Sequence, residues 1–181
     1  TIRCESRRKK QDEFRETAKE LSTSCFVPLT IGGWVKTVSD IKELLDCGAD
    51  KVVINTEAFA DPDFITEASN RIGRQCITVS IDVKETETGY EVVTDRGQKH
   101  TGRNAVEWAQ RADELGAGEI FLTSIDQDGT QSGYDLELIR KVSDNVSIPV
   151  IASGGVGEWE HLVEGIVDGN ADAVAVADRL D

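Results

Sequence analysis

From Phe26 onward the hydrophobic positions fall into short runs of β-branched and aliphatic residues, each followed by a stretch in which apolar residues recur every three or four positions. Runs apolar at nearly every position suit strands buried on both faces. Their alternation with amphipathic stretches predicts βαβ units and a parallel sheet. Six strands are expected, over residues 27–31, 51–55, 76–83, 119–124, 150–153 and 173–177. Helix starts are readable between them. Thr37-Val-Ser-Asp40 has the form of a capping box, Asp61-Pro62-Asp63 offers a cap followed by proline at the first helical position, and Asn104-Ala-Val-Glu107 repeats the capping device before a helix over 108–115. A helix over 13–22 precedes the first strand and has no strand of its own, so it reads as the second half of an upstream unit.

Residues 85–102 break the alternation. Glu87-Thr-Gly89 and Asp95-Arg-Gly97 bracket the run 90–94, which predicts a small β-hairpin inserted after the third strand, at a strand's carboxyl end. No linker or low-complexity stretch divides the chain, so residues 1–181 are read as one domain.

The sequence also matches itself at an offset of 122 residues, from Ile31-Gly-Gly-Trp34 through Thr56 against Ser153-Gly-Gly-Val156 through Asp178. Gly32 and Gly33 align with Gly154 and Gly155, and Ala49-Asp50 with Ala171-Asp172. A Gly-Gly pair between strand and helix lets backbone N–H groups approach an anion closely. One such pair is more simply a tight turn, whereas two in register suggest a ligand with two phosphates. Between the copies, two strands end in Ser80-Ile-Asp82 and Ser124-Ile-Asp126, the second running on through Gln127-Asp128-Gly129-Thr130. Carboxyl ends of β/α-barrel strands carry the chemistry, which places Asp82, Asp126 and Asp128 for acid/base work. Asp126 and Asp128 are open to a plainer reading, as turn or helix-cap residues.

Composition narrows the partners. With 34 acidic and 20 basic residues the net charge is −14, which disfavours nucleic acid and anionic membranes. The four cysteines lack C-x-x-C spacing and only two histidines accompany them, so free thiols and no metal or other cofactor are expected. There is no membrane-length apolar run and no signal peptide, and a cytoplasmic protein is expected. A complete eight-unit barrel takes about 250 residues. This chain has 181, starts at Thr1 and contains no methionine, so it is read as a fragment with an incomplete (βα)8 TIM barrel of six parallel strands.

The segments Ile31-Gly-Gly, Gly48-Ala-Asp-Lys-Val-Val-Ile-Asn-Thr56, Ser80-Ile-Asp-Val-Lys84, Leu122-Thr-Ser-Ile-Asp-Gln-Asp-Gly-Thr130, Ser132-Gly-Tyr-Asp135 and Ile151-Ala-Ser-Gly-Gly155 resemble the cyclase subunit family of imidazole glycerol phosphate synthase. The resemblance runs from Pro28 onward and is most specific over 123–135. It implies a histidine-pathway β/α barrel that takes a bisphosphorylated ribulosyl aminoimidazole carboxamide, with ammonia delivered by a partner glutaminase. Its products are imidazole glycerol phosphate and an aminoimidazole carboxamide ribotide. By resemblance Asp128 is the catalytic acid, Asp82 a nearby active-site carboxylate, and Thr123 and Ser153 line the site. Gly33, Asn55 and Thr56 resemble one phosphate site; Gly129, Gly154, Gly155 and Ala177 resemble the other.

The chain departs from the family pattern in three places. The family's other essential aspartate lies on a first strand that has no counterpart here, so the first two strands are read as missing and the chain alone as inactive or altered. Trp34 stands where the family has a third glycine and should occlude an anion. Asp178 replaces a small hydroxyl residue and would set a carboxylate against phosphate. Glu119 and Lys51 match half of the family's charged gate at the barrel's amino end, or are ordinary solvated charges. Trp108, Tyr134 and Trp159 are expected to be packing residues. Two other readings stand beside the cyclase: a diverged amination protein of surface-sugar modification, and a non-catalytic scaffold. In the scaffold, open sheet edges drive homo-oligomerisation.

Overall fold

The computed structural model describes residues 8–95 and 97–177, with side chains from residue 13 onward. Asp178, expected at the second phosphate site, lies outside the described residues, as do Cys4 and Arg96. The elements in chain order are α1 (Arg8–Ser24), β1 (Thr30–Gly32), α2 (Val38–Asp46), β2 (Lys51–Ile54), α3 (Thr56–Ala60), α4 (Asp63–Ile72), a 3-10 turn (Arg74–Cys76), β3 (Ile77–Thr86), β4 (Gly89–Thr94), β5 (Lys99–Asn104), α5 (Ala105–Glu114), β6 (Glu119–Ser124), α6 (Leu136–Ser143), β7 (Val150–Ser153), α7 (Trp159–Val167) and β8 (Ala173–Val174). The fold is α/β, with β1, β2, β3, β6, β7 and β8 as six parallel strands surrounded by helices, the arrangement of an incomplete (βα)8 barrel.

The residues group into two compact units, one up to Thr78 together with Gly116–Gly118, the other formed by Val79–Leu115 and Glu119 onward. In the first, β1 and β2 pair in parallel with Ile31 opposite Val52. Ile31, Val52 and Ile54 are buried, and Val38, Ile41 and Leu44 of α2 with Phe64, Ile65 and Ala68 of α4 turn inward as their spacing requires. Each of the larger side chains removed from water contributes about 1.5–3 kcal/mol before ordering costs. Thr37 and Asp40 close the expected capping box at α2. The start of α4 differs from expectation: Pro62, not Asp61, holds the cap position, and no side chain bonds to the helix end. Proline at N-cap adopts the helical φ of −60°, so the turn is set by the ring and Asp61 contributes only its carbonyl, which accepts from Phe64 N at 3.1 Å.

In the second unit β3, β6, β7 and β8 follow one another. β6 and β7 are in register with Ile120 opposite Val150 and Thr123 opposite Ser153. Every residue from Ile77 to Val83 is buried, the two-faced burial expected of a parallel strand. Trp108 and Tyr134 are buried packing residues. The inserted hairpin is present, but β3 does not end where the parallel sheet does. It runs on to Thr86 and pairs antiparallel with β4, Asp82 lying opposite Val93.

The outer strands are shorter than their apolar runs. β1 starts at Thr30 because Pro28 has no N–H for a ladder, leaving Phe26 96 % and Val27 68 % exposed. β8 covers only Ala173–Val174, although Ala175 N still donates to Ala152 O at 2.8 Å. In both copies of the internal repeat the Ala-Asp aspartate ties down the start of the copy's first strand. Asp50 Oδ2 accepts from Leu29 N at 2.7 Å, and Asp172 Oδ2 accepts from Val150 N at 2.9 Å.

Candidate functional site

The loop after β6 follows the carboxyl end of a strand that lies between β3 and β7. Asp128 N donates to Ser124 O at 3.0 Å, which turns the chain back over the strand end and leaves Asp128 and Gly129 exposed. The neighbouring β7 ends in Ser153, side by side with the buried Thr123. Gly154 and Gly155 then meet the β6 loop at a distance no side chain permits. A methyl on Gly154 would stand 2.6 Å from Ser124 O and 3.4 Å from Asp128 N, and one on Gly155 would clash with Gly133 O. Gly133 N donates to Gly155 O at 2.7 Å, locking the two loops together. The structure thus brings Thr123, Asp128, Ser153, Gly154 and Gly155 into one cluster. Both turn glycines have φ near +100°, in the left-handed region.

Asp82 is 2 % exposed, on β3 at the point where the parallel sheet gives way to the hairpin. There Ile125 N donates to Val83 O at 2.9 Å, so the end of β6 lies against β3. Asp126 serves this junction directly, its Oδ2 accepting from Glu85 N at 2.8 Å, a tie to the neighbouring strand rather than a local turn or helix cap. Ala177 is exposed beyond β8. Glu119 is 7 % exposed, so it is not a solvated charge; Lys51 is half-buried.

The first unit holds Gly33 just past β1, Asn55 just past the paired β2, and Thr56 opening α3, so these three follow the ends of adjacent strands. Trp34 fills the turn. It is a bulky residue at φ +53° and meets Phe14 edge to face at 5.6 Å between ring centroids. The crevice left among Phe14, Arg15, Gly33, Trp34, Asp40 and Leu44 measures about 10 Å³, room for about one water and not for a phosphate.

Several contacts that position the second unit's loops have no signature in the sequence. Tyr90 on β4 donates its hydroxyl to Asp135 Oδ1 at 2.9 Å, and that oxygen also accepts from Leu138 N as the cap of α6. Burial and the Asp135 carboxylate push the Tyr90 phenol well above its ordinary pKa. Tyr134, whose hydroxyl donates to Ala175 O at 3.1 Å, is pushed up to about 12 by burial. His161 Nδ1 accepts from Gly157 N and Glu158 N, fixing the turn before α7. Trp159 is not a packing residue: it is 61 % exposed, on the rim of a surface hollow of about 480 Å³. Glu158 and Glu160 also line that hollow, which their charge makes hostile to phosphate.

Six parallel strands surrounded by helices define a β/α-barrel fold, a class whose catalytic residues sit on the loops that follow the strands. A family model described as Histidine biosynthesis protein matches residues 5–180, and the chain belongs to that family. Among the described residues no helix is long and apolar enough to cross a membrane.

Proposed function

We propose that this chain is a cyclase-type member of the histidine biosynthesis barrels. Its Ser153-Gly154-Gly155 turn and Gly129 hold a phosphorylated substrate, and Asp128 acts as proton donor with Asp82 as the second carboxylate. The observation that carries this reading is the packing of the Asp128 loop against Gly154, with Thr123 and Ser153 side by side beneath it. Backbone N–H groups and hydroxyls there suit an anion, and a carboxyl next to the held ligand suits proton transfer to a ring being closed or cleaved. Ammonia, supplied by a glutaminase partner or by ammonium salts, is the nitrogen donor in this reading. Giving the purified chain the bisphosphorylated ribulosyl aminoimidazole carboxamide and ammonium chloride tests it. Turnover falling by about 10²–10⁴-fold in Asp128→Asn supports the proposal. Absence of both turnover and phosphate-ligand binding counts against it.

A second reading, self-assembly as a scaffold, is favoured by the apolar surface beside the outermost strands. Phe26 and Val27 are exposed just before β1, and Trp159, Val163, Ile166 and Val167 are exposed along α7. Self-association and catalysis are compatible.

A further inference from the structure

The two Gly-Gly turns align in the sequence, but their chemistry has separated. In the first, Trp34 occupies the residue after the glycine pair, and its indole with Phe14 leaves only the water-sized crevice. The N–H groups that follow are already engaged. Lys36 N and Thr37 N donate to Asp40 Oδ2 at 3.1 and 2.8 Å, so a carboxylate of the chain itself holds the place of an external anion. Arg15, the cation beside the crevice, pairs with Glu43 at 2.5 Å and stands 3.9 Å from Asp40. Hydrogen bonds to Asp40 outweigh its burial and keep the carboxyl below its ordinary pKa, so this turn presents negative charge. The second turn has valine at the matching position, and Gly129, with open space around it, stands in the adjoining β6 loop.

We propose that Trp34 is a specificity-determining residue that closes the β1–α2 turn to phosphate, so that the chain grips one phosphate of its ligand rather than two. The assignment of the remaining phosphate to the Ser153-Gly154-Gly155 turn rests on the function proposed above; the closure of the first turn does not. Glycine at position 34 relieves the left-handed backbone and vacates the indole's volume, so N–H groups of residues 33–35 become available to an anion. Asparagine, which tolerates this backbone better than most residues, does the same less fully.

Titration of inorganic phosphate into the ¹⁵N-labelled chain, read at backbone amides, tests this. In the wild type and in Trp34→Phe, which keeps an aromatic ring against Phe14, the amides of residues 33–37 stay silent. In Trp34→Gly they shift saturably, with affinity at this turn raised at least about tenfold and one more phosphate bound per chain than in the wild type. Trp34→Asn responds in the same direction and serves as the second opening variant. A saturable response of residues 33–37 in the wild type, or silence of both Trp34→Gly and Trp34→Asn, overturns the proposal. Silence of Ser153, Gly154 and Gly155 in every protein counts against the function proposed above, while the difference at residues 33–37 is read separately.

Discussion

Asp40 accepts from Lys36 N, Thr37 N and the Thr37 hydroxyl, all through Oδ2, while Asp40 N donates back to Thr37 Oγ. Burial opposes its charge, but these bonds and Arg15 prevail and hold the carboxyl below the ordinary carboxylate range. A carboxyl depressed on folding stabilises the chain above its unfolded pKa and loses that contribution as pH falls through the folded value. Asp40→Asn is therefore expected to lower stability by about 1 kcal/mol in urea unfolding near neutral pH. The gap to wild type should close only in acid below the ordinary carboxylate range. Tyr90→Phe removes a hydroxyl that donates to a carboxylate. A loss of about 1.5 kcal/mol is expected, seen as an earlier urea midpoint with an unchanged slope. The capping box was legible in the sequence because its partners are three residues apart. The Tyr90–Asp135 pair spans 45 residues and depends on where the hairpin folds back, which no local spacing records.

Glycine turns and strand ends belong to the scale of elements. Gly155 and Gly129 are both at positive φ, but only Gly155 faces another backbone, so the two separate space from strain. Gly155→Ala is expected to give little folded protein in expression and thermal unfolding, because its methyl would overlap Gly133 O. Gly129→Ala, with open space around it, is expected to cost about 1 kcal/mol of backbone strain and to leave the fold intact by circular dichroism. The six-strand alternation was readable because buried parallel strands are continuous apolar runs, and β6 and β7 fall where those runs lie. The misfits have local causes. Pro28 delays β1, Pro62 displaces the cap of α4, and β3 outruns its apolar run because its last residues face solvent while still pairing with β4. The apolar run makes Asp82 look like the end of a strand; in the fold it marks the change from parallel to antiparallel pairing.

At the scale of the whole chain, the net charge of −14 and the apolar residues left exposed pull in opposite directions. Charge keeps copies apart at low salt, and screening lets the apolar faces meet. Self-association that strengthens with added salt is expected in sedimentation velocity, and Trp159→Ser with Val163→Ser should weaken it. A monomer at all salt concentrations would remove the scaffold reading. The site itself was only partly legible. The sequence motifs located Asp128, Thr123, Ser153 and the second glycine pair, which the fold gathers. They could not show that the first glycine pair had been filled by an aromatic contact with Phe14, nor that the second glycines are required by loop packing as well as suited to an anion. The most direct test is titration of imidazole glycerol phosphate into the ¹⁵N-labelled chain. The account predicts that the amides of Thr123, Gly129, Ser153, Gly154 and Gly155 shift together along one saturating curve, weakened about tenfold or more in Ser153→Ala. No saturable response, or one confined to residues outside the loops that follow β6 and β7, would contradict it.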